Sequence, residues 1–402
     1  MGIALRYVWA GLSLLAAACA GAPPPPAGIG ELSEARVSVA ACRSASVSLH
    51  FDFDGAAPSA CSITGERAFE LLVTPEHAPP INPSPWYAFR YEAKGDAPVS
   101  VTLRYLGAKH RYDPKWVGEG ESRDLSVYLR EDGAVAVMAL PPGNGIVSAQ
   151  EVIAPDDTAA DLARWSAVSG AAVFTLGRSH DGGAIEAIRL GRADAPRLVV
   201  LLGRQHPPEV TGALAMRAFV DALVEARAVP GDTQILIVPM LNPDGTARGH
   251  WRANRGAVDL NRDWGDFTQP ETRSVKAWLD ALPQGVRPVL MVDFHSTRSN
   301  LFYVQGEEEM DAGQRSFLAA WLGGQEQALP GFPFAIEPRN ANPGSGTAKN
   351  WFHAAFAIPS YTYEVADTAD RTAIRTAARA LAGRLFPALN AAQRAGTRDA
   401  AD

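Results

Sequence analysis
The chain has 402 residues, of which 47% are hydrophobic and 20% charged, and a formal net charge of −7. That length accommodates two domains more comfortably than one, and the composition is that of an ordinary globular protein. The acidic balance, with no dense Lys/Arg stripe, excludes nucleic acid as an expected partner.

Residues 1–18 read as a signal peptide. Arg6 supplies a short basic segment and VWAGLSLLAAA an apolar run of signal length. The run is too short and too weakly flanked for a membrane span. It ends in LLAAAC, which is similar to a bacterial lipoprotein signal with Cys19 as the lipidated residue. Leu15 stands one place further from Cys19 than the usual pattern has it, and ordinary cleavage near Ala20 or Ala22 is the alternative. Residues 19–30, with GAPPPPAG, form a Pro-rich tether. The expected location is therefore outside the cytoplasm, in a bacterial periplasm or held to a membrane through Cys19. The two remaining cysteines, Cys42 and Cys61, are expected to pair in a disulfide.

Residues 31–152 are β-rich. ARVSVAAC, SVSLHFDF, WYAFRYEA, PVSVTLRYL, DLSVYLR and AVAVMAL are short, alternate apolar with polar, and are bounded by Gly, Pro and Asp. They predict a small antiparallel β-sandwich. His50, His77 and His110 are dispersed there and read as surface or hydrogen-bonded side chains. Residues 153–392 change character: amphipathic helices separate the apolar strands VVLLG, QILIVPML, PVLMVDFH and PSYTYEVAD. This alternation predicts an α/β domain with a parallel or mixed sheet, whose ligands bind beyond the carboxyl ends of the strands. Residues 393–402 read as a polar tail.

The chemistry-bearing residues stand at those strand ends. GRQHPPEVTG, residues 203–212, puts His206 and Glu209 on the turn between a strand and a helix. Imidazole and carboxylate are both zinc ligands, and a catalytic site needs three protein ligands. The candidate third is His295 in VLMVDFHST, with Asp293 two residues earlier as an acceptor for a ligand's other ring N–H. LNPDG (241–245), HWRANR (250–255) and VDLNRDW (258–264) follow the next strand. Glu364 sits near the end of PSYTYEVAD, where a carboxylate is costly unless paired or used.

In this order, H-x-x-E, N-P-D-G, W-R-x-x-R, V-D-x-N-R, D-x-H-S and a Glu-bearing strand, the series resembles the zinc carboxypeptidases of the carboxypeptidase A-like type over roughly residues 160–390. The β-rich region, with WYAFRY just before the second domain, is similar to the cytosolic-carboxypeptidase-like branch and its bacterial relatives. The resemblance implies a mixed eight-stranded sheet flanked by helices and one zinc per chain, held by His206, Glu209 and His295. It implies Glu364 as general base, Arg252 as the group that polarises the scissile carbonyl, and Asn261 with Arg262 as the grip on the substrate's terminal carboxylate. It places Lys349 at the base of the specificity pocket, which implies a preference for acidic C-terminal residues. The alternative for Lys349 is a solvent-facing side chain at a helix start. Asn342 falls where the family has a substrate-capping tyrosine, and Tyr361 and Tyr363 lie too close to Glu364 to replace it. The implied partners are peptide or protein C-termini, cell-wall peptides among them. Two other functions share the metal-ligand pattern: an aspartoacylase-like zinc deacylase of N-acyl amino acids, and a catalytically silent zinc module that binds peptide C-termini.

Elementary chemistry supports these assignments. A carboxylate within hydrogen-bond reach shuttles a proton to a leaving amine. A guanidinium stabilises a developing oxyanion and grips a carboxylate bidentately.

Overall fold
The computed structural model describes residues 42–227, 229–339 and 345–399. The expected signal peptide, Cys19, the tether and Asn342 lie outside the described residues.

Two sheets build the amino-terminal part. Among the described residues, one has six strands in the order Cys42–Arg43, Val47–His50, Ala88–Ala93, Gly143–Ser148, Lys115–Gly118 and Glu121–Asp124. The other has five, Ala60–Gly65, Ala68–Val73, Val99–Tyr105, Val135–Leu140 and Val127–Arg130. Alternate residues face inward from both, so that Leu49, Phe89 and Tyr91 pack with Phe69, Val101 and Met138 in one core. The expected Cys42–Cys61 disulfide is present and ties the first strand of one sheet to the first strand of the other. A closed loop of that size constrains the unfolded chain by about 3 kcal/mol.

The pairing is not antiparallel throughout, as the alternation alone had implied. Ala68–Val73 runs parallel to Val99–Tyr105. Between them the chain crosses to the other sheet and lays down Ala88–Ala93, and a crossover returns the chain in its original direction.

The second part is a mixed sheet with helices on both faces. Its strands are β1 (Val173–Arg178), β2 (Ala184–Gly191), β3 (Arg197–Gly203), β4 (Thr233–Val238), β5 (Arg287–Thr297), β6 (Leu301–Val304), β7 (Ala335–Pro338) and β8 (Ser360–Ala366). These eight run in the order β1-β2-β4-β3-β5-β8-β6-β7. The helices are α1 (Pro155–Ser169), α2 (Val210–Ala226), α3 (Pro243–Ala247), α4 (Pro270–Asp280), α5 (Ala312–Trp321), α6 (Ala348–Phe356) and α7 (Arg371–Asp399). Helix α7 thus continues beyond residue 392, into the stretch expected to be a polar tail.

The strands are apolar on both sides because both sides are covered. Val199, Leu201, Val292, Phe294, Tyr361 and Tyr363 turn to the core shared with α2, α5 and α7. Leu198, Val200, Leu202, Leu236 and Met291 turn to the core shared with α4 and α6. Strands β3, β5 and β8 lie side by side in parallel, so their carboxyl ends open at one edge of the sheet. The amino-terminal sandwich meets the α/β part at that same edge. Glu151 pairs with Arg371 at 2.8 Å, and Arg111 with Asp367 at 2.7 Å, just past the end of β8.

Candidate active site
The turn after β3 carries two metal-type side chains. Pro207 and Pro208 restrict its backbone between His206 and Glu209, and Glu209 immediately precedes α2. The first turn of α2 then packs directly on β5. A Cβ on Gly212 would lie 2.4 Å from the carbonyl oxygen of His295, so only glycine permits this approach. The amide of Gly212 and the hydroxyl of Thr211 each donate to Ser296 Oγ at 2.8 Å, which locks the turn to the strand bearing His295.

The ligand atoms of His206, Glu209 and His295 all lie within 4.8 Å of one another. Nδ1 of His206 is 2.8 Å from one Glu209 oxygen, and Nδ1 of His295 is 2.6 Å from the other. Each opposite ring nitrogen meets its own carboxylate: His206 Nε2 is 2.9 Å from Asp259, and His295 Nε2 is 2.7 Å from Asp293. Metal-ligating histidines have this arrangement, with one nitrogen for the ion and the other held by an acceptor. Burial opposes charge here, but the two histidines outweigh it and hold the Glu209 carboxyl well below the usual carboxylate range. In the metal-free protein, Asp293 and Glu209 likewise outweigh burial and raise the His295 imidazole well above its ordinary value. A dication serves that cluster better than a proton does, and two nitrogens plus one carboxylate form a zinc-type catalytic donor set.

Glu364 stands directly across from His295 in the register of β5 and β8. Burial pushes its carboxyl up to about 7; Glu209 and Asp293 add to the rise, and His295 and His206 oppose it. Its Oε2 has no hydrogen-bond partner among the described residues. The strand alternation that turns Glu364 toward the histidines turns Tyr361 and Tyr363 the other way. Both are fully buried against Phe302 and Trp321, with Tyr363 stacked 4.2 Å from Phe302. Neither lines the cleft.

One cleft of about 430 Å³ brings the expected residues together: His206, Glu209, His295 and Glu364 with Arg252, Asn261, Arg262 and Lys349. Arg252 donates through Nε to Asp259 at 2.8 Å, so a single carboxylate orients both it and His206. Burial raises the Asp259 carboxyl less than His206, Arg252 and Arg262 lower it, and it stays well below the usual range. Asn261 accepts from the amide of Ala348 at 2.9 Å and so fastens its loop to the start of α6. Arg262 is exposed at the cleft, its Nη1 donating to the Asn261 carbonyl at 2.7 Å. Lys349 is only 4% exposed and donates to the Arg339 carbonyl at 2.8 Å, so it faces the cleft wall rather than solvent. Burial pushes its ammonium down to about 8, with Glu309 opposing.

Several supporting residues escape sequence reasoning. Asp259 stands inside the VDLNR segment itself, where its spacing to Asn261 was a usable signal. Gln205 donates to Asp293 at 2.6 Å and accepts from Trp264 at 2.9 Å, extending the support behind His295. Glu76 comes from the amino-terminal part and accepts the amides of Arg252 at 2.6 Å and Ala253 at 2.9 Å. Nothing in the sequence pairs positions so far apart. Arg111 and Tyr112, also from that part, line the cleft.

The zinc carboxypeptidase family model matches residues 167–382, a little over half of the chain. An uncharacterised protein of Zymomonas mobilis is 28% identical over 193 residues, 46% of this chain and 50% of that protein. Cytosolic carboxypeptidase 2 of Danio rerio is 29% identical over 134 residues, 31% of this chain and 19% of that protein. The matches thus span half or less of the length of these relatives. In structure, the chain is similar to a metallo-carboxypeptidase from Burkholderia cenocepacia, with a TM-score of 0.69 and 20% identity, over 86% of this chain and 99% of that one. At that identity the likeness establishes the fold.

Proposed function
The chain belongs to the zinc carboxypeptidase family, and from that premise we propose that it hydrolyses the C-terminal peptide bond of peptides or proteins, with a preference for acidic C-terminal residues. The observation that carries this reading is the one cleft in which His206, Glu209 and His295 stand beside Glu364 and the anion-binding side chains Arg252, Asn261, Arg262 and Lys349.

His206, Glu209 and His295 would hold a zinc ion, which would supply Lewis acidity and lower the pKa of a water in the cleft. Arg262 and Asn261 grip the terminal carboxylate and fix which bond lies at the centre of the cleft. Arg252, held by Asp259, faces the developing oxyanion with a preorganised positive charge. Glu364 takes the proton of the attacking water and returns it to the leaving amine, a double duty that suits a carboxyl poised near neutrality. The test is release of a C-terminal amino acid from mixed peptides, with and without chelator, alongside an N-acyl amino acid to probe the deacylase alternative. Release that is insensitive to chelation, or release from the N-acyl amino acid alone, would overturn the reading.

Glu76→Ala is expected to lower kcat about 10–100-fold, because it frees the loop that aims Arg252, and small misplacements of catalytic groups have costs of that order. Zinc content, measured by atomic absorption, should stay at one per chain.

Lys349 argues for the acidic preference. A buried ammonium needs an anion, so the pocket repels apolar side chains as well as attracting a carboxylate. A lysine whose pKa is lowered to about 8 is charged below that pH and neutral above it. The ratio of kcat/KM for peptides ending in Glu over Leu is therefore expected to be high below pH 8 and to decline as pH rises through it. Lys349→Ala should reduce the ratio on the order of tenfold, the scale of one charge-assisted hydrogen bond. An unchanged ratio would remove Lys349 from specificity and leave the peptidase reading intact. A D-Glu carboxylate in a cell-wall peptide meets the same chemical requirement.

Export fits the disulfide, which persists in oxidising compartments. Among the described residues, no helix is long and apolar enough to cross a membrane. A lipid at Cys19 would tie the chain to a membrane.

A further inference from the structure
We propose that the amino-terminal sandwich forms part of the substrate cleft, with Arg111 donating hydrogen bonds to main-chain carbonyl oxygens of the peptide upstream of the bond that is cut. The inference rests on the carboxypeptidase reading above and adds a subsite to it.

The terminal residue of a substrate is enclosed on the side of α6, where Asn261 bonds the start of the helix and Lys349 is nearly fully buried. The rest of the peptide has to leave the cleft by another wall. Arg111, Tyr112 and Trp251 pack against one another and line the cleft, as does Pro208 of the metal-ligand turn. Arg111 and Tyr112 come from the segment before the sandwich strand Lys115–Gly118, and Trp251 from the loop that carries Arg252.

Arg111 is held as a binding group rather than left as a surface charge. Its Nε and Nη2 both contact Asp367 Oδ2, at 2.9 and 2.7 Å. Its guanidinium lies 5.2 Å from the ring of Tyr112 and 5.1 Å from that of Trp251. The side chain retains 20% exposure, and the described residues give Nη1 no acceptor. Asp367 is three residues beyond Glu364 on the same segment, so the carboxylate that orients Arg111 is tied to the strand of the catalytic candidate. A fixed guanidinium with spare N–H groups, its charge already met by Asp367, suits neutral carbonyl acceptors. Contacts to main chain carry no side-chain preference. The subsite should therefore read the length of the peptide and not its sequence.

The experiment compares N-acetylated di-, tri-, tetra- and pentapeptides that share their last two residues. The readout is the ratio of kcat/KM for the tetrapeptide over the dipeptide, in wild type and in Arg111→Met. The expected result is a ratio about tenfold lower in the variant, carried by KM, which is the scale of one hydrogen bond from a charged donor. Arg111→Gln, which retains a donor toward Asp367, repeats the comparison in case the methionine variant unfolds. Calorimetric binding of the tetrapeptide to zinc-loaded Glu364→Gln, with and without the Arg111 change, gives a second readout free of turnover. An unchanged ratio and unchanged binding, or an equal loss on all lengths, overturns the proposal and spares the peptidase reading. If wild type cuts none of the peptides, the peptidase reading fails, and the calorimetry alone decides whether Arg111 holds peptide.

Discussion

Glu364→Gln is expected to leave one zinc per chain and to lower kcat by about 10²–10⁴-fold, the usual contribution of a general acid–base group. The substitution preserves shape and removes only the capacity to take a proton. It leaves His206, Glu209 and His295 untouched, so metal content should match wild type. Stability should not fall either. The carboxyl that is lost is one whose ionised form burial and the nearby Glu209 already disfavour, and a neutral amide carries no such penalty. Steady-state kinetics and metal analysis on the same preparation check this. A variant that keeps more than about a tenth of the rate would show that Glu364 is not the base.

His206→Ala and His295→Ala are each expected to lose stoichiometric zinc under competition with a chelator, because each leaves two protein ligands where a catalytic zinc site needs three. The metal-free variants should nevertheless differ in stability. Removing His206 leaves Asp259 with Arg252 at 2.8 Å and the amide of Asn261 at 2.9 Å. Removing His295 leaves Asp293, which is 0% exposed, with Gln205 as its remaining side-chain partner among the described residues. An under-compensated buried carboxylate costs up to about 3–5 kcal/mol. His295→Ala should therefore unfold at distinctly lower denaturant than His206→Ala. Equal midpoints would mean that Asp293 does not depend on His295 for its compensation, and a full zinc complement in either variant would refute the three-ligand assignment.

Much of the α/β part is legible in the chain because parallel strands covered on both faces must be apolar throughout. RLVVLL, QILIVPML and PVLMVDFH are too greasy and too β-branched to be much else. The short or half-exposed strands are less legible. No residue of Ala60–Gly65 is buried and all of Glu121–Asp124 are exposed, leaving no inward-facing row to read. The parallel pairing of Ala68–Val73 depends on where the chain travels between strands, which local composition does not encode.

The same division runs through the site. Local sequence determined the rigid turn that carries His206 and Glu209, since two prolines and a strand-to-helix boundary act over a few residues. It also placed Glu364 and His295 at strand ends, because an ionisable group inside an apolar strand has to be used or paired. Only the tertiary structure decided that Glu364 faces His295 across neighbouring strands, that Tyr361 and Tyr363 turn into the core, and that Lys349 lies in the cleft wall. Only it brought Glu76 beneath the Arg252 loop and Arg111 to Asp367. Those contacts join loops far apart in the chain: the Glu76 carboxylate accepts backbone amides beneath Arg252, and the Arg111 guanidinium meets the Asp367 carboxylate. A local pattern carries no trace of such a meeting, because the partners lie far apart in the chain and Glu76, Arg111 and Asp367 each read by themselves as an ordinary surface charge.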